Sequence, residues 1–313
     1  MRRVAAPLAA VLCTLAMAGC GGGAEPGAPE GASLILDFTP NAVHTGIYVA
    51  QHRGYFEDEG IDMEIREPSA TSDAPKLLEA GRVDFAILDI NDLGLAVERG
   101  FSVKPLAAIV DRPLAAVIAS DDVSRPRELE GREVGVTGLP SDEAILDTVV
   151  GSDGGNPAGV DRVNIGFNAV AALASGRVDA ATAFWNAEGV ALRRQGVDTR
   201  EFRVDDHGAP RFPELVIVAR AEAEVPSEPA LAAIRRGYLA ARSNLDGGLD
   251  ALSREVPEID RAQTGAELAA IAPAIPATGL LEGRALRHGL AAWGGWALAS
   301  GFIARNPFRK PAG

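Results

Sequence analysis

Four short segments hold the side chains able to do chemistry, and each follows an apolar run. Asp37-Phe38-Thr39-Pro40-Asn41-Ala42-Val43-His44 sets a carboxylate, an aromatic face, an amide and an imidazole within eight residues. Asp89-Ile90-Asn91-Asp92 follows the run Val83 to Leu88, Gly138 to Glu143 follows Glu133 to Thr137, and Phe184-Trp185-Asn186-Ala187-Glu188-Gly189 follows the run from Val178. The candidate ligand-binding residues are Asp37, Phe38, Asn41, His44, Asp89, Asn91, Ser141, Asp142, Glu143, Phe184, Trp185, Asn186 and Glu188. Aromatic faces for stacking beside carboxylates that accept hydrogen bonds suit a flat, amino-substituted heterocycle. Stacking adds about 0.5 to 1.5 kcal/mol beyond burial, and a charge-assisted hydrogen bond about 1.5 to 3 kcal/mol. A ring compound of about ten heavy atoms would then reach micromolar binding, about −8 kcal/mol, within known ligand efficiencies.

Structural roles compete for several of these residues. Thr39 or Asn41 can cap a following helix, and Ser141 is a good N-cap with Asp142 and Glu143 suited to the positive helix terminus. Asp89 to Asp92 face either a cleft or solvent. Phe184 and Trp185 beside Asn186 and Glu188, at a strand end, are not accounted for by packing alone.

The elements that must position these segments are short apolar strands alternating with longer helical patterns: Leu34 to Leu36, Thr45 to Glu59, Asp62 to Arg66, Ala74 to Ala80, Val83 to Leu88. That alternation predicts an α/β fold with mainly parallel sheets, whose ligands bind in the crevice beyond the strand ends. Leu78-Glu79-Ala80-Gly81-Arg82-Val83-Asp84-Phe85-Ala86 is echoed by Leu173-Ala174-Ser175-Gly176-Arg177-Val178-Asp179-Ala180-Ala181. Each reads as a helix closed by glycine and then a strand, so the echo predicts two similar α/β lobes. Leu114 to Ala119 and Glu214 to Ala219 read as two hinge strands. They divide the chain into residues 33–118 and 214–313 for the first lobe and 119–213 for the second. Trp293 and Trp296, three apart in an alanine-rich helical tail, read as core packing.

The N-terminus is of another kind. Arg2 and Arg3 precede an apolar run from Val4 to Ala18 that ends at Gly19-Cys20, which reads as a signal peptide over residues 1–20. Met17-Ala18-Gly19-Cys20 resembles a lipoprotein box, which makes Cys20 the expected site of lipidation and of membrane attachment. Residues 21–32, rich in Gly and Pro, read as a flexible tether. The chain's two cysteines, Cys13 and Cys20, both fall in this region, leaving the folded body without a disulfide, a thiolate metal site or a cysteine nucleophile. Four widely spaced histidines (His44, His52, His207, His288) do not suggest a metal site. Without residues 1–19 the chain holds 28 basic and 43 acidic residues, a formal −15, which repels nucleic acid and anionic head groups.

Leu36-Asp37-Phe38-Thr39-Pro40-Asn41 with His44-Thr45-Gly46, then Gly54-Tyr55-Phe56 and Gly60-Ile61-Asp62, resemble the opening of the NMT1/THI5-like solute-binding family. Gly138 to Glu143, Asn186 to Gly189, Gly208-Ala209-Pro210 and Pro213-Glu214-Leu215 extend the likeness over about residues 34 to 220. The resemblance implies a type II periplasmic-binding-protein fold; with the N-terminal signal and Cys20, the expected protein is a monomeric, lipid-anchored, extracytoplasmic receptor. It would bind a thiamine pyrimidine precursor, hydroxymethylpyrimidine or formylaminopyrimidine, and hand it to an ABC permease and its ATPase. Members for riboflavin and other heterocycles look similar. By position, Asp37 and Glu188 would hydrogen-bond the aminopyrimidine edge and Phe38 with the Phe184–Trp185 pair would stack on it. Asn41, His44 and Asn186 would complete the polar lining.

Yeast relatives of the family make the pyrimidine from a pyridoxal cofactor and histidine with a cysteine-rich stretch. His207 to Pro213, the corresponding region, contains no cysteine, so neither an enzyme nor a cofactor is expected. Sulfonate and nitrate receptors share the fold, but an anion site calls for Arg or Lys where this chain has Asp37, Asp89, Asp142 and Glu188.

Overall fold

The computed structural model describes residues 29–70 and 72–308. The expected signal peptide, lipidated Cys20 and most of the tether lie outside the described residues. The tether as read from sequence also runs too far. Glu30 to Ala32 already belong to the first strand, paired with Ile61 to Met63.

Ten short strands build two sheets. They are β1 (Glu30–Ile35), β2 (Ile61–Arg66), β3 (Phe85–Asp89), β4 (Val103–Ala108), β5 (Ala115–Ser120), β6 (Glu133–Val136), β7 (Asp161–Asn164), β8 (Ala180–Phe184), β9 (Thr199–Arg203) and β10 (Leu215–Arg220). The first sheet has the order β2-β1-β3-β10-β4 and the second β7-β6-β8-β5-β9. In each, three strands joined by helices run parallel and the fourth position is antiparallel to its neighbour: β10 against β3, β5 against β8. The two sheets are therefore two copies of one plan, and the sequence echo marks corresponding places. Gly81 and Gly176, at φ +65° and +66°, close the helices before β3 and β8 in a left-handed conformation that a side chain would strain.

The helices are α1 (Thr45–His52), α2 (Tyr55–Asp58), α3 (Asp73–Glu79), α4 (Ile90–Glu98), α5 (Ser141–Ser152), α6 (Ala169–Ala174), α7 (Glu188–Arg194), α8 (Ser227–Ser243), α9 (Leu245–Glu255), α10 (Arg261–Ile271) and α11 (Gly283–Ala299). The expected helix Thr45 to Glu59 is split by Gly54 at φ +67° into α1 and α2. α8 lies hard against α1. A Cβ on Gly46 would come within 2.3 Å of the Tyr238 ring, and one on Gly237 within 1.9 Å of the Gly46 carbonyl oxygen. Tyr238 also donates a 2.6 Å hydrogen bond to the Val43 carbonyl, so this packing fixes the backbone that follows β1.

The chain crosses between sheets through residues 109–114 and 204–214. Both crossings are thus earlier than the sequence placed them, because β5 pairs along its length with β8 and β9 in the second sheet, and β10 with β3 and β4 in the first. The crossings are tied to each other by Arg112–Asp205 at 2.9 Å and Arg211–Asp111 at 2.7 Å. α11, which packs on α4 of the first lobe, also reaches the second: Trp296 donates a 3.0 Å hydrogen bond to the Thr148 hydroxyl on α5. Trp293 is fully buried, in keeping with the core role expected for it.

Candidate functional site

The strand ends of both sheets converge on one cavity of about 340 Å³ between the lobes. Of the thirteen sequence candidates, Asp37, Phe38, Asn41, Asp89, Asn91, Ser141, Asp142, Phe184, Asn186 and Glu188 line it. His44, Glu143 and Trp185 do not.

The reasons are local. His44 is fully buried; its Nδ1 accepts the Asn41 amide at 3.2 Å and its Nε2 meets Asp37 Oδ1 at 2.8 Å. Accepting at Nδ1 puts the proton of the neutral ring on Nε2, so His44 donates to Asp37 and orients it from behind. Glu143 turns outward to pair with Arg162 at 2.7 Å. Trp185 is 3% exposed, donates from Nε1 to the Pro113 carbonyl at 3.0 Å, and carries the Arg203 guanidinium 4.1 Å from its ring centroid. Adjacent residues of an extended chain point to opposite sides. Thr182 and Phe184 therefore share the cavity face while Trp185 turns into the first crossing, so of this pair only Phe184 presents its ring to the cavity.

Other candidates line the cavity with their polar atoms already committed. Asn41 accepts from the Val43 amide and donates to the Thr39 carbonyl. Asn91 accepts from Trp293 Nε1 at 3.0 Å. Asp142 is buried and accepts four hydrogen bonds, from Thr137 Oγ1, the Gly138 and Leu139 amides and Thr182 Oγ1, all at 2.8 to 3.0 Å. It pins the loop between β6 and α5 to β8. Ser141 makes no side-chain cap, contrary to expectation, because Pro140 occupies the cap position.

Asp89, the last residue of β3, caps α4 by accepting from the Asn91 amide at 2.7 Å. Its carboxyl also meets that of Glu214, which precedes β10 and accepts from the Leu114 amide at 2.8 Å. Two buried carboxyls in contact cannot both ionise. Burial, then the Glu214 charge, pushes Asp89 well up, and burial raises Glu214 too, so the pair holds one proton between its two carboxyls. Asp92 lines the cavity with its side chain still exposed to solvent; desolvation, then Asp89 and Asp37, push it up to about 7. Burial likewise raises Glu188, against the pull of the Phe184 amide at 2.9 Å, and raises Glu267 on α10.

Several lining residues were not among the thirteen candidates: Phe167, Thr137, Thr182, Glu214, Glu267 and Phe302, together with Asp92 from the second segment. Phe167 is 62% exposed, and its ring centroid lies 6.3 Å from that of Phe38 on the other lobe. It follows β7 directly after Gly166, so the strand-end rule applied to Asn164-Ile165-Gly166-Phe167 would have found it. Phe38, Phe167 and Phe184 thus leave large aromatic faces bare at the cavity, 40% exposed or more.

Two similar five-stranded α/β lobes, joined by two crossings with a cavity between them, define the type II periplasmic-binding-protein fold. Within that class the chain belongs to the NMT1/THI5-like family, whose model matches residues 41–244. It is 36% identical over 213 residues to the formylaminopyrimidine-binding protein of Halalkalibacterium halodurans, covering 67% of this chain and 64% of that one. It is 29% identical over 151 residues to the 4-amino-5-hydroxymethyl-2-methylpyrimidine phosphate synthase THI5 of Saccharomyces cerevisiae, covering 47% and 44%. The match therefore spans less than two thirds of the length of these curated relatives. Among solved structures, the alkanesulfonate-binding protein SsuA of Xanthomonas axonopodis pv. citri superposes with a TM-score of 0.66 at 14% identity, covering 88% of this chain and 94% of that one.

Proposed function

We propose that this chain is the extracytoplasmic, lipid-anchored binding component of an ABC importer and that it captures a thiamine pyrimidine precursor, hydroxymethylpyrimidine or formylaminopyrimidine. The observation that carries this reading is the cavity between the lobes, where bare aromatic faces from both sheets stand beside hydrogen-bond acceptors. A flat ring would slide between Phe38, Phe167 and Phe184 and present its amino edge to Asp37 and Glu188. A volume of about 340 Å³ suits a compact heterocycle. Rotation of the lobes about residues 109–114 and 204–214 would then trap the ring and present a closed face to the permease. Family membership and the formylaminopyrimidine-binding relative favour the same ligand class.

The synthases among the relatives raise a second reading, a pyridoxal-dependent enzyme. Such a cofactor is held through a lysine amine and groups that bind its phosphate. Among the described residues no Lys, Arg or His lines the cavity, so its residues do not fit that cofactor. His207 lies away from the cavity, its ring edge-on to Phe202 at 5.4 Å. Anionic ligands such as sulfonates are disfavoured on the same ground.

Isothermal titration of the purified protein against hydroxymethylpyrimidine, formylaminopyrimidine, thiamine and riboflavin tests the reading. Micromolar or tighter binding of a pyrimidine, weakened about tenfold or more in Glu188→Ala, is expected. No binding of either pyrimidine would remove the ligand assignment.

A further inference from the structure

The charged side chains lining the cavity are Asp37, Asp89, Asp92, Asp142, Glu188, Glu214 and Glu267, with no cationic residue among the described ones. Asp142 is saturated by four donors, and Asp89 with Glu214 holds one proton and one charge between them. The remaining carboxyls have spare acceptor capacity. Asp37 takes one bond from His44, Glu188 takes main-chain donors, Glu267 takes one from Gln263, and Asp92 has no hydrogen-bond donor among the described residues.

A second observation comes from a neutral group. Asn186 is 5% exposed and lines the cavity, and its Oδ1 is buried without any hydrogen-bond partner. A buried acceptor left unpaired costs about 1 to 3 kcal/mol. Every unsatisfied polar group named here is an acceptor, so the missing partner is a donor with several N–H groups. The acceptors also come from both lobes: Glu188 and Asn186 follow β8, while Glu267 lies on α10, which packs against α7 across the cleft. Glu188 and Glu267 are close enough for the charge of Glu188 to disfavour ionisation of Glu267. Ionised together, carboxylates on facing walls would oppose closure until something neutralised them.

We infer that the cavity selects a planar organic cation with several N–H donors, an amidinium or a ring-protonated aminopyrimidine, whose charge is the counter-ion that lets Glu188 and Glu267 approach. This rests on the binding reading above and specifies the charge state of the ligand. A neutral ring of the same shape would satisfy the stacking faces but leave the facing carboxylates unneutralised.

Matched pairs of probes test it on the purified chain by calorimetry: benzamidine against benzamide, and hydroxymethylpyrimidine against its 4-oxo analogue, which lacks the basic amino-ring system. The charged or protonatable member of each pair is expected to bind at least about tenfold tighter. In Glu188→Gln and Glu267→Gln, isosteric changes on opposite lobes, that ratio should fall towards one while the neutral members change little. Equal binding within both pairs, or binding of neither benzamidine nor the amino ring, overturns the inference. Preference for benzamidine without pyrimidine binding would discard the pyrimidine and keep the charge rule. Equal binding of the amino and oxo rings would keep the pyrimidine and discard the charge rule.

Discussion

Glu214, the last residue of one crossing, accepts a 2.8 Å hydrogen bond from the backbone amide of Leu114, the last residue of the other. The two paths between the lobes are thus clasped at the cavity floor by one buried carboxylate, which Asp89 also contacts. Glu214→Ala leaves the Leu114 amide unpaired, and the expected loss of stability is about 1 to 3 kcal/mol. Glu214→Gln keeps an acceptor and should lose less than half as much. Urea unfolding of both variants at neutral pH decides this, and an Ala variant as stable as the parent would show that the clasp contributes nothing.

Asp142 and Glu143 are neighbours with opposite fates. Asp142→Ala removes the acceptor of four hydrogen bonds and should cost about 2 kcal/mol or more, with loss of ligand affinity as the loop before α5 loosens. Glu143→Ala removes an ion pair whose carboxylate is exposed and whose Arg162 keeps Asp147 as partner, for which about 0 to 1 kcal/mol is expected and no change in affinity. Thermal unfolding together with titration of the same ligand would expose an error if the two variants behaved alike.

Phe184 and Trp185 separate affinity from stability in the same way. Phe184→Ala strips a 40% exposed ring from the cavity wall and should weaken ligand binding about tenfold with little effect on unfolding. Trp185→Phe loses the Nε1 bond to Pro113 and weakens the stacking of Arg203, so stability should fall by about 1 to 2 kcal/mol while the ligand keeps its stacking partners. Reversed effects in paired calorimetry and denaturation would return the stacking role to Trp185.

Asp92 sets a pH dependence. Its folded value of about 7 lies above the ordinary 3.8, so the folded protein binds the proton more tightly than the unfolded chain. That contribution to stability is complete below about pH 4 and is lost as pH rises through about 7. Asp92→Asn should therefore match the parent at acid pH and exceed it above neutrality. Unfolding midpoints of both proteins across that range test the sign, and a gap largest at acid pH would reverse the assignment.

Local signals made much of this molecule legible. Glycine-closed helices before β3 and β8 announced two equivalent lobes because a left-handed glycine and a following apolar run are both sequence-local. The strand-end rule found Asp37, Phe38, Asp89, Phe184 and Glu188 for the same reason. It failed at Trp185 because period-two alternation says that adjacent residues diverge, not which of them meets the cavity. It failed at His44 because the ring's partners, Asp37 and the Asn41 amide, are settled by the turn between them. Glu267 and Phe302 lie in the helical tail and reach the cavity through long-range packing, which no nearby residue encodes. Both crossings were misplaced because an apolar run such as Ala115–Ser120 looks the same whether it bridges two sheets or lies inside one.

The chain has three tryptophans, and Trp185 alone among them is held at once by the first crossing, through Pro113, and by β9, through Arg203. Its indole is a chromophore seated where the lobes turn. A lobe rotation that moved Pro113 against that ring would change the polarity around an emitting group, so closure would report itself as a change in light, with no label attached.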